Sequence, residues 1–277
     1  MRMTMLRFPF PVRRLTELLW PAPARIPALD VNDIHVWKCN VGHLAELDTA
    51  MRTSLDECEL ARAGRFLNAA DRARFVLSHG LLRALAAHYL DRQPAALVIA
   101  TGEFGKPHLA GPEQGNLSFN LSHSGDLLTL AFARSGRLGV DVERWSPTLA
   151  ESERARICRS VFSASEQRGI AQLPAEERQA AFYSVWTRKE AYIKATGFGL
   201  SRGLDYFEVS VHPQSACLRS DSSLAAGVAE WRIIDLPPEA GYSAALATDI
   251  DKPHVMTMTI GATLKSDASS LLAARLF

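Results

Sequence analysis

FYSVWTRKEAYIKATGFGL, residues 182–200, reads as one amphipathic helix closed at Gly197. Phe182, Trp186, Glu190 and Ile193/Lys194 recur at helical spacing, so they share a face. Two aromatics open that stripe, and a carboxylate and an ammonium continue it. A carboxylate on a face that turns inward needs a partner, because an unpaired buried charge is costly. Lys194 stands four residues after Glu190, the favourable order for an i,i+4 pair. Two readings stay open on this stretch alone. One is a salt bridge at the rim of a core helix. The other is a carboxylate that holds a cation beside a lysine that meets phosphate.

The chain around it has 277 residues, 47% hydrophobic and 22% charged, which is enough for a sizeable core in one or two domains. A formal net charge of +1 is not that of a dedicated nucleic-acid binder, so any anion binding must come from local clusters. No apolar run reaches the length of a membrane span. Cys39, Cys58, Cys158 and Cys217 are scattered without a C-x-x-C, which points to free thiols and a reducing, cytoplasmic setting. Only six of the 31 cations are lysine, and three of those six, Lys106, Lys189 and Lys194, fall in the stretches that carry motifs.

Residues 1–30 form a leader with five Arg and several Pro, expected to be a loosely ordered arm or the product of an upstream start codon. IHVWKCNV (34–41) alternates as a first strand, and residues 54–68 read as a helix with Ser54 and Glu57 in capping-box spacing. A longer helix is expected from about Ala70 to Leu90. Next come a short strand, ALVIA (96–100), and a Gly/Pro loop carrying Lys106. NLSFNLSHSGD (116–126) follows, and then LLTLAFA (127–133) and RLGVDVERW (137–145), expected as a hairpin about a turn at Arg134–Gly136. In the second arm Asp141 and Glu143 share one strand face at period two. Two adjacent carboxylates repel unless a positive group lies between them. A divalent cation such as Mg²⁺ would fit, and so would a solvent-facing polar strand. Helices are expected over 151–173, with Ser163 and Glu166 as a second capping box, and from Pro174 to Ala195. LDYFEVSV, WRIIDL and GYSAALATD read as later strands. RFLNAADRARF and VFSASEQRGI, each leading into a long helix, hint at two similar halves.

In order, GKPHL with FNLSHSGD, GVDVE and WTRKEAYIK closely resemble the motif set of the 4′-phosphopantetheinyl transferases, in the larger Sfp-type form with two pseudo-symmetric halves. The match spans about residues 34–248. The resemblance implies an α+β fold of two α/β subdomains, 31–136 and 137–250, with the site in the cleft between them and a tail from 251 to 277. It implies transfer of the 4′-phosphopantetheine arm of coenzyme A to a serine of an apo acyl or peptidyl carrier protein, with adenosine 3′,5′-bisphosphate released. It also implies Asp141, Glu143 and Glu190 as ligands of Mg²⁺, or of Mn²⁺ in its place. Glu190 and Lys194 would be the catalytic pair, one taking the serine proton and the other stabilising charge on the diphosphate. Lys106, Ser122, His123 and Lys189 would contact coenzyme A, with Arg62 and Arg74 on its phosphates. The expected assembly is a monomer that meets neither nucleic acid nor membrane. Two rivals remain: a coenzyme A- or carrier-binding module without chemistry, and a different Mg²⁺-dependent phosphotransfer enzyme. The second would lack any P-loop or kinase motif set.

Overall fold

A computed structural model describes residues 26–42, 48–199, 203–212, 215–224, 228–237 and 239–260. The expected leader up to residue 25 and the tail beyond 260 lie outside them. The chain is α+β, built on two sheets, each covered by one 22-residue helix. The first sheet has the order β11-β1-β5-β4, from β1 (Asp33–Asn40), β4 (Ser118–Ser124), β5 (Leu127–Ala133) and β11 (His254–Ile260). The second is β6-β10-β9, from β6 (Leu138–Arg144), β9 (Arg232–Asp235) and β10 (Tyr242–Thr248). Two small ribbons complete the strands: β2 (Ile99–Thr101) with β3 (Pro107–Leu109), and β7 (Phe207–Val209) with β8 (Leu218–Asp221).

The period-two pattern of the strands decides which face meets what. On β1, Trp37 and Cys39 turn to a core shared with Phe75, Leu81, Leu82 and Leu85 of helix α3 (Ala69–Leu90). Ile34 and Val36 turn the other way, to a core shared with Leu138, Val140 and Leu246 of the second sheet. The far face of the second sheet, through Ala245 and Ala247, meets helix α6 (Ala175–Thr196). The layers thus run helix, sheet, sheet, helix. α3 is preceded by α1 (Asp48–Arg52) and α2 (Glu57–Gly64), and α6 by α4 (Glu151–Val161) and α5 (Ala164–Gln172). Among the described residues no helix is long and apolar enough to cross a membrane.

Three expectations are corrected. The box that caps α2 is Asp56 with Glu59, not Ser54 with Glu57. Glu59 N–H donates to Asp56 Oδ1 at 2.8 Å, and Ser54 is spent on Ala50 O. β5 does not form a hairpin with β6. It pairs β1 and β4, while β6 pairs β10, so Arg134–Gly136 is a crossing between sheets. Residues 254–260, assigned to the tail by sequence, form β11, parallel to β1 on the edge of the first sheet.

Candidate active site

Asp141 and Glu143 stand on the face of β6 that meets α6, while Val140 and Val142 are buried on the other. Gly139 precedes them on the α6 face, where a Cβ would lie 2.1 Å from Ala191 O and 2.4 Å from Ala195 N. The missing side chain lets α6 press onto β6, which sets Glu190 and Lys194 against the strand carboxylates. Gly197, in the left-handed region at φ +77°, closes the helix.

The outer edge of β6 is held by side chains rather than by a strand ladder. Val140, Val142 and Arg144 N–H donate to Asn120 Oδ1 (2.8 Å), Ser122 Oγ (3.3 Å) and Ser124 Oγ (3.0 Å) on β4. The two serines also reach the carboxylates. Ser122 Oγ donates to Asp141 Oδ1 at 2.9 Å, and Ser124 Oγ to Glu143 Oε2 at 2.8 Å. Asn120 and Ser124 escaped the sequence reading. Their signal was the N-x-S-x-S alternation at 120, 122 and 124, one position per ladder step of the neighbouring strand.

Lys194 does not pair with Glu190 as its spacing suggested. Its Nζ donates to Asp141 Oδ1 at 2.6 Å and to Ser122 Oγ at 2.9 Å. Ser122 therefore uses its one donor and both lone pairs inside the protein, which leaves no capacity for the nucleotide contact expected of it. Burial pushes the Asp141 carboxyl above its ordinary range, against the pull of Lys194. Burial also raises Glu143, and Asp141 adds to the rise. Burial raises Glu190 too, with Asp141 and then Glu143 adding. Burial is the first cause in all three, and repulsion by neighbouring carboxylates adds to it at Glu143 and Glu190.

A divalent cation can be tested against this arrangement. As they stand, these side chains are not gathered around one point, and no group of three or more His, Cys, Asp or Glu among the described residues is. The donor chemistry nonetheless fits a hard cation, since all three candidates are carboxylates. Asp141 Oδ2 is the sharper sign: it is buried without a hydrogen-bond partner. Lys194 fills the role of counter-ion on the other oxygen.

A cleft of about 640 Å³ opens beside this cluster, walled by Glu190 and Lys194 of α6, Lys106 of the β2–β3 loop, and Arg62, Glu59 and His79 of the first half. Lys106 Nζ donates to Leu138 O (2.9 Å) and to Ala195 O (3.2 Å) near the C-terminal end of α6, so one of its three donors is left for the cleft. Its desolvation lowers the ammonium to about 8. Arg62 lies over the Phe75 ring at 5.2 Å. Arg74 bonds Asp71 at 2.8 Å while its Nε is buried without a partner. His123, at the β4 end, is pushed below the ordinary histidine range by desolvation, then by the charges of Arg74 and Lys194. The structure thus gathers Arg62, Lys106, Glu190 and Lys194 around the cleft, with Asp141 and Ser122 bonded behind Lys194.

Lys189 is not with them. It is fully buried on the back of α6, where Nζ donates to Leu204 O (2.7 Å) and Phe207 O (2.6 Å) and pairs with Glu166 Oε1 (2.9 Å). All three of its donors are used, so the expected coenzyme A contact is replaced by a structural one. Arg188 beside it is fully buried as well, clamped by Asp235, Ser210 O and His212 O.

Residues 37–135 match the family described as 4′-phosphopantetheinyl transferase, N-terminal, and residues 137–247 match the 4′-phosphopantetheinyl transferase superfamily. The chain is 31% identical over 229 residues to the 4′-phosphopantetheinyl transferase HetI of Nostoc sp., covering 82% of this chain and 92% of that one. It is 32% identical over 197 residues to the 4′-phosphopantetheinyl transferase Sfp of Bacillus subtilis, covering 70% and 82%. A phosphopantetheinyl transferase of Thraustochytrium sp. is 30% identical over 200 residues, covering 68% and 69%.

Proposed function

The chain belongs to the 4′-phosphopantetheinyl transferase superfamily, and we propose that the cleft between its two halves is where the reaction takes place. The 4′-phosphopantetheine arm of coenzyme A passes to a serine hydroxyl of an apo acyl or peptidyl carrier protein, and adenosine 3′,5′-bisphosphate leaves. The single observation that carries this reading is the Asp141–Ser122–Lys194 cluster, with its unpartnered Asp141 Oδ2, beside a cleft walled by cations.

Roles follow from the contacts. Lys106 and Arg62 line the cleft and would meet phosphate, one as a point charge and one as a planar fork. Arg74 and His123 would meet it beyond the cleft wall, since Arg74 Nε has no partner and His123 feels the charge of Arg74. Asp141, Glu143 and Glu190 would hold Mg²⁺, or Mn²⁺ in its place. When bound, such an ion neutralises charge on the diphosphate and orients it for in-line attack. Glu190 has its carboxyl raised, which suits a group that accepts the serine proton, and it lines the cleft. Lys194 would stabilise charge on the diphosphate as the bond breaks. The same reading takes residues 31–136 and 137–250 as the two subdomains, and the protein as a cytoplasmic monomer acting on neither membrane nor nucleic acid. Cys39, Cys58, Cys158 and Cys217 are all free thiols, in keeping with that compartment.

The test is intact mass spectrometry of an apo carrier protein incubated with the protein, coenzyme A and Mg²⁺, with EDTA and Mn²⁺ arms. A gain of one phosphopantetheine, absent with EDTA, is expected. No gain on several unrelated carriers, from a protein that still binds coenzyme A, would turn the assignment toward a binding module.

A further inference from the structure

One wall of the cleft carries a charge network that the reaction as described does not use. Asp56 and Glu59 of α2 face Arg83 of α3, which is fully buried. Arg83 donates through Nε to Glu59 Oε2 (2.5 Å), through Nη1 to Pro94 O (2.9 Å) and Leu97 O (2.8 Å), and through Nη2 to Asp56. The second oxygen of Glu59 is 2.9 Å from His79 Nδ1. The His79 ring stacks on Phe75, 4.0 Å between centroids at 29°, and Arg62 covers the same ring. His79, Glu59, Asp56 and Arg62 all line the cleft.

The formal charges of this wall are simple. Asp56 and Glu59 cancel Arg62 and Arg83, so His79 sets the sign. Nδ1 is committed to Glu59, so Nε2 is the ring nitrogen left for the cleft that His79 lines. With a neutral ring, Nδ1 carries the proton to Glu59 and Nε2 offers only a lone pair, which repels an anionic oxygen. With a protonated ring, Nε2–H becomes a charge-assisted donor. Glu59 is held below its ordinary range, where the His79 and Arg83 contacts outweigh desolvation, so it stays an anion that supports the imidazolium. The geometry points to His79 as a proton-gated phosphate-binding residue: its protonated ring donates to a phosphate of coenzyme A, and its neutral ring does not. This rests on coenzyme A as the substrate of the cleft.

The other titratable groups on the cleft are Cys58 of α2, Lys106 of the β2–β3 loop, and Glu190 and Lys194 of α6, with His123 of β4 beyond its wall. Lys106 loses its charge near 8, so the readout is kept below that. Coenzyme A binding to the full chain is measured by calorimetry at about pH 5.5 and about pH 7.0, within the range in which imidazole changes charge. The unaltered protein is expected to bind about tenfold more tightly at the lower pH, the worth of one charge-assisted hydrogen bond. His79→Gln is expected to lose most of that dependence and to raise KM for coenzyme A more than it lowers kcat, since the donor acts in binding. Glu59→Gln should weaken binding at the lower pH, since it removes the anion that faces Nδ1. Dephospho-coenzyme A separates the sources: a His79→Gln penalty that vanishes with it assigns the 3′-phosphate, and one that persists assigns the diphosphate. If His79→Gln unfolds, His79→Asn takes its place. Unchanged pH dependence in the folded variant overturns the inference alone. No coenzyme A binding by the unaltered protein at either pH would overturn the functional reading and the inference with it.

Discussion

Both halves of the molecule use the same device with opposite outcomes. In each, a capping box starts a short helix, and its glutamate also pairs with a buried cation of the long helix. Glu59 does this with Arg83, and Glu166 with Lys189. In the second half the device is closed. Glu166 accepts from Lys189 and Val209 N–H on one oxygen and from Ser163 N–H on the other. In the first half the spare oxygen goes to His79, which borders the cleft. Where backbone groups satisfy the last lone pair, the carboxylate is structure. Where a titratable side chain does so, the same carboxylate can tune a site. The closed device still helps to fix the candidate site, because Lys189 at the back of α6 immediately precedes Glu190, which lines the cleft.

The hardest way to break this comparison is Lys189→Met. Removing one partner of a buried pair should cost about 3–5 kcal/mol of stability, read by urea denaturation. Changing Glu166 to Gln at the same time should recover part of it, since the amide removes the unpaired charge and its oxygen can still accept from a backbone N–H. A folded Lys189→Met with unaltered stability would show that the second half is not closed.

Next in size is Glu190→Gln or Asp141→Asn. Either should lower kcat/KM for carrier modification by about 10²–10³, as loss of one preorganised charge does elsewhere. Glu190→Gln should not lose stability, because it removes a carboxylate that burial already disfavours, whereas Asp141→Asn also breaks the partly buried pair with Lys194 and should lose some. A loss of stability in place of activity would make the front of α6 as structural as its back.

Gly139→Ala should cost about 1–3 kcal/mol, since its Cβ would strike the α6 backbone. It should also depress kcat, because the displaced helix carries Glu190 and Lys194. Calorimetry and steady-state rates check the two parts. Gly80→Ala, whose Cβ would lie 2.6 Å from Met51 Cβ, should cost similar stability and spare kcat.

The smallest effect concerns an incompletely satisfied group remote from the cleft. His35 Nδ1 meets Tyr89 Oη at 2.8 Å, while Nε2 is buried without a partner. Desolvation lowers His35 below its ordinary range. With the folded value depressed, its contribution to stability is whole above the unfolded value near 6.5 and is lost as pH falls through the folded one. His35→Gln should therefore flatten the fall of Tm on acidification. An equal fall in both proteins would sever this link.

What the sequence made legible was periodic or punctuated. The stripe from Phe182 to Lys194, the Ser163–Glu166 box and the Asp141/Glu143 alternation are all local patterns, and the structure keeps each. What it missed depends on partners far along the chain. Lys194 could not be told from its i,i+4 spacing to prefer Asp141, 53 residues away. Lys189 and Lys194 look alike in sequence, yet a turn of 100° per residue sends them to opposite faces. The β5–β6 hairpin failed because Arg134–Gly136 is a good turn in either topology, and only the pairing of β6 with β10 decides. Glu59 was passed over because Ser54 and Glu57 offered a box of equal quality.

The return of β11 to lie parallel with β1 bears on how the chain is made. Asp33 and His254 sit side by side, their side chains 3.1 Å apart, although they are 221 positions apart in the chain. During synthesis the first half emerges with the β1 flank of its sheet incomplete. β1 offers an open edge until nearly the whole chain has left the ribosome, and such an edge invites pairing with another chain. Among the described residues the last strand therefore acts as a latch on the first sheet. A truncation just before His254 would spare every residue of the cleft and still release a sticky, half-finished sheet.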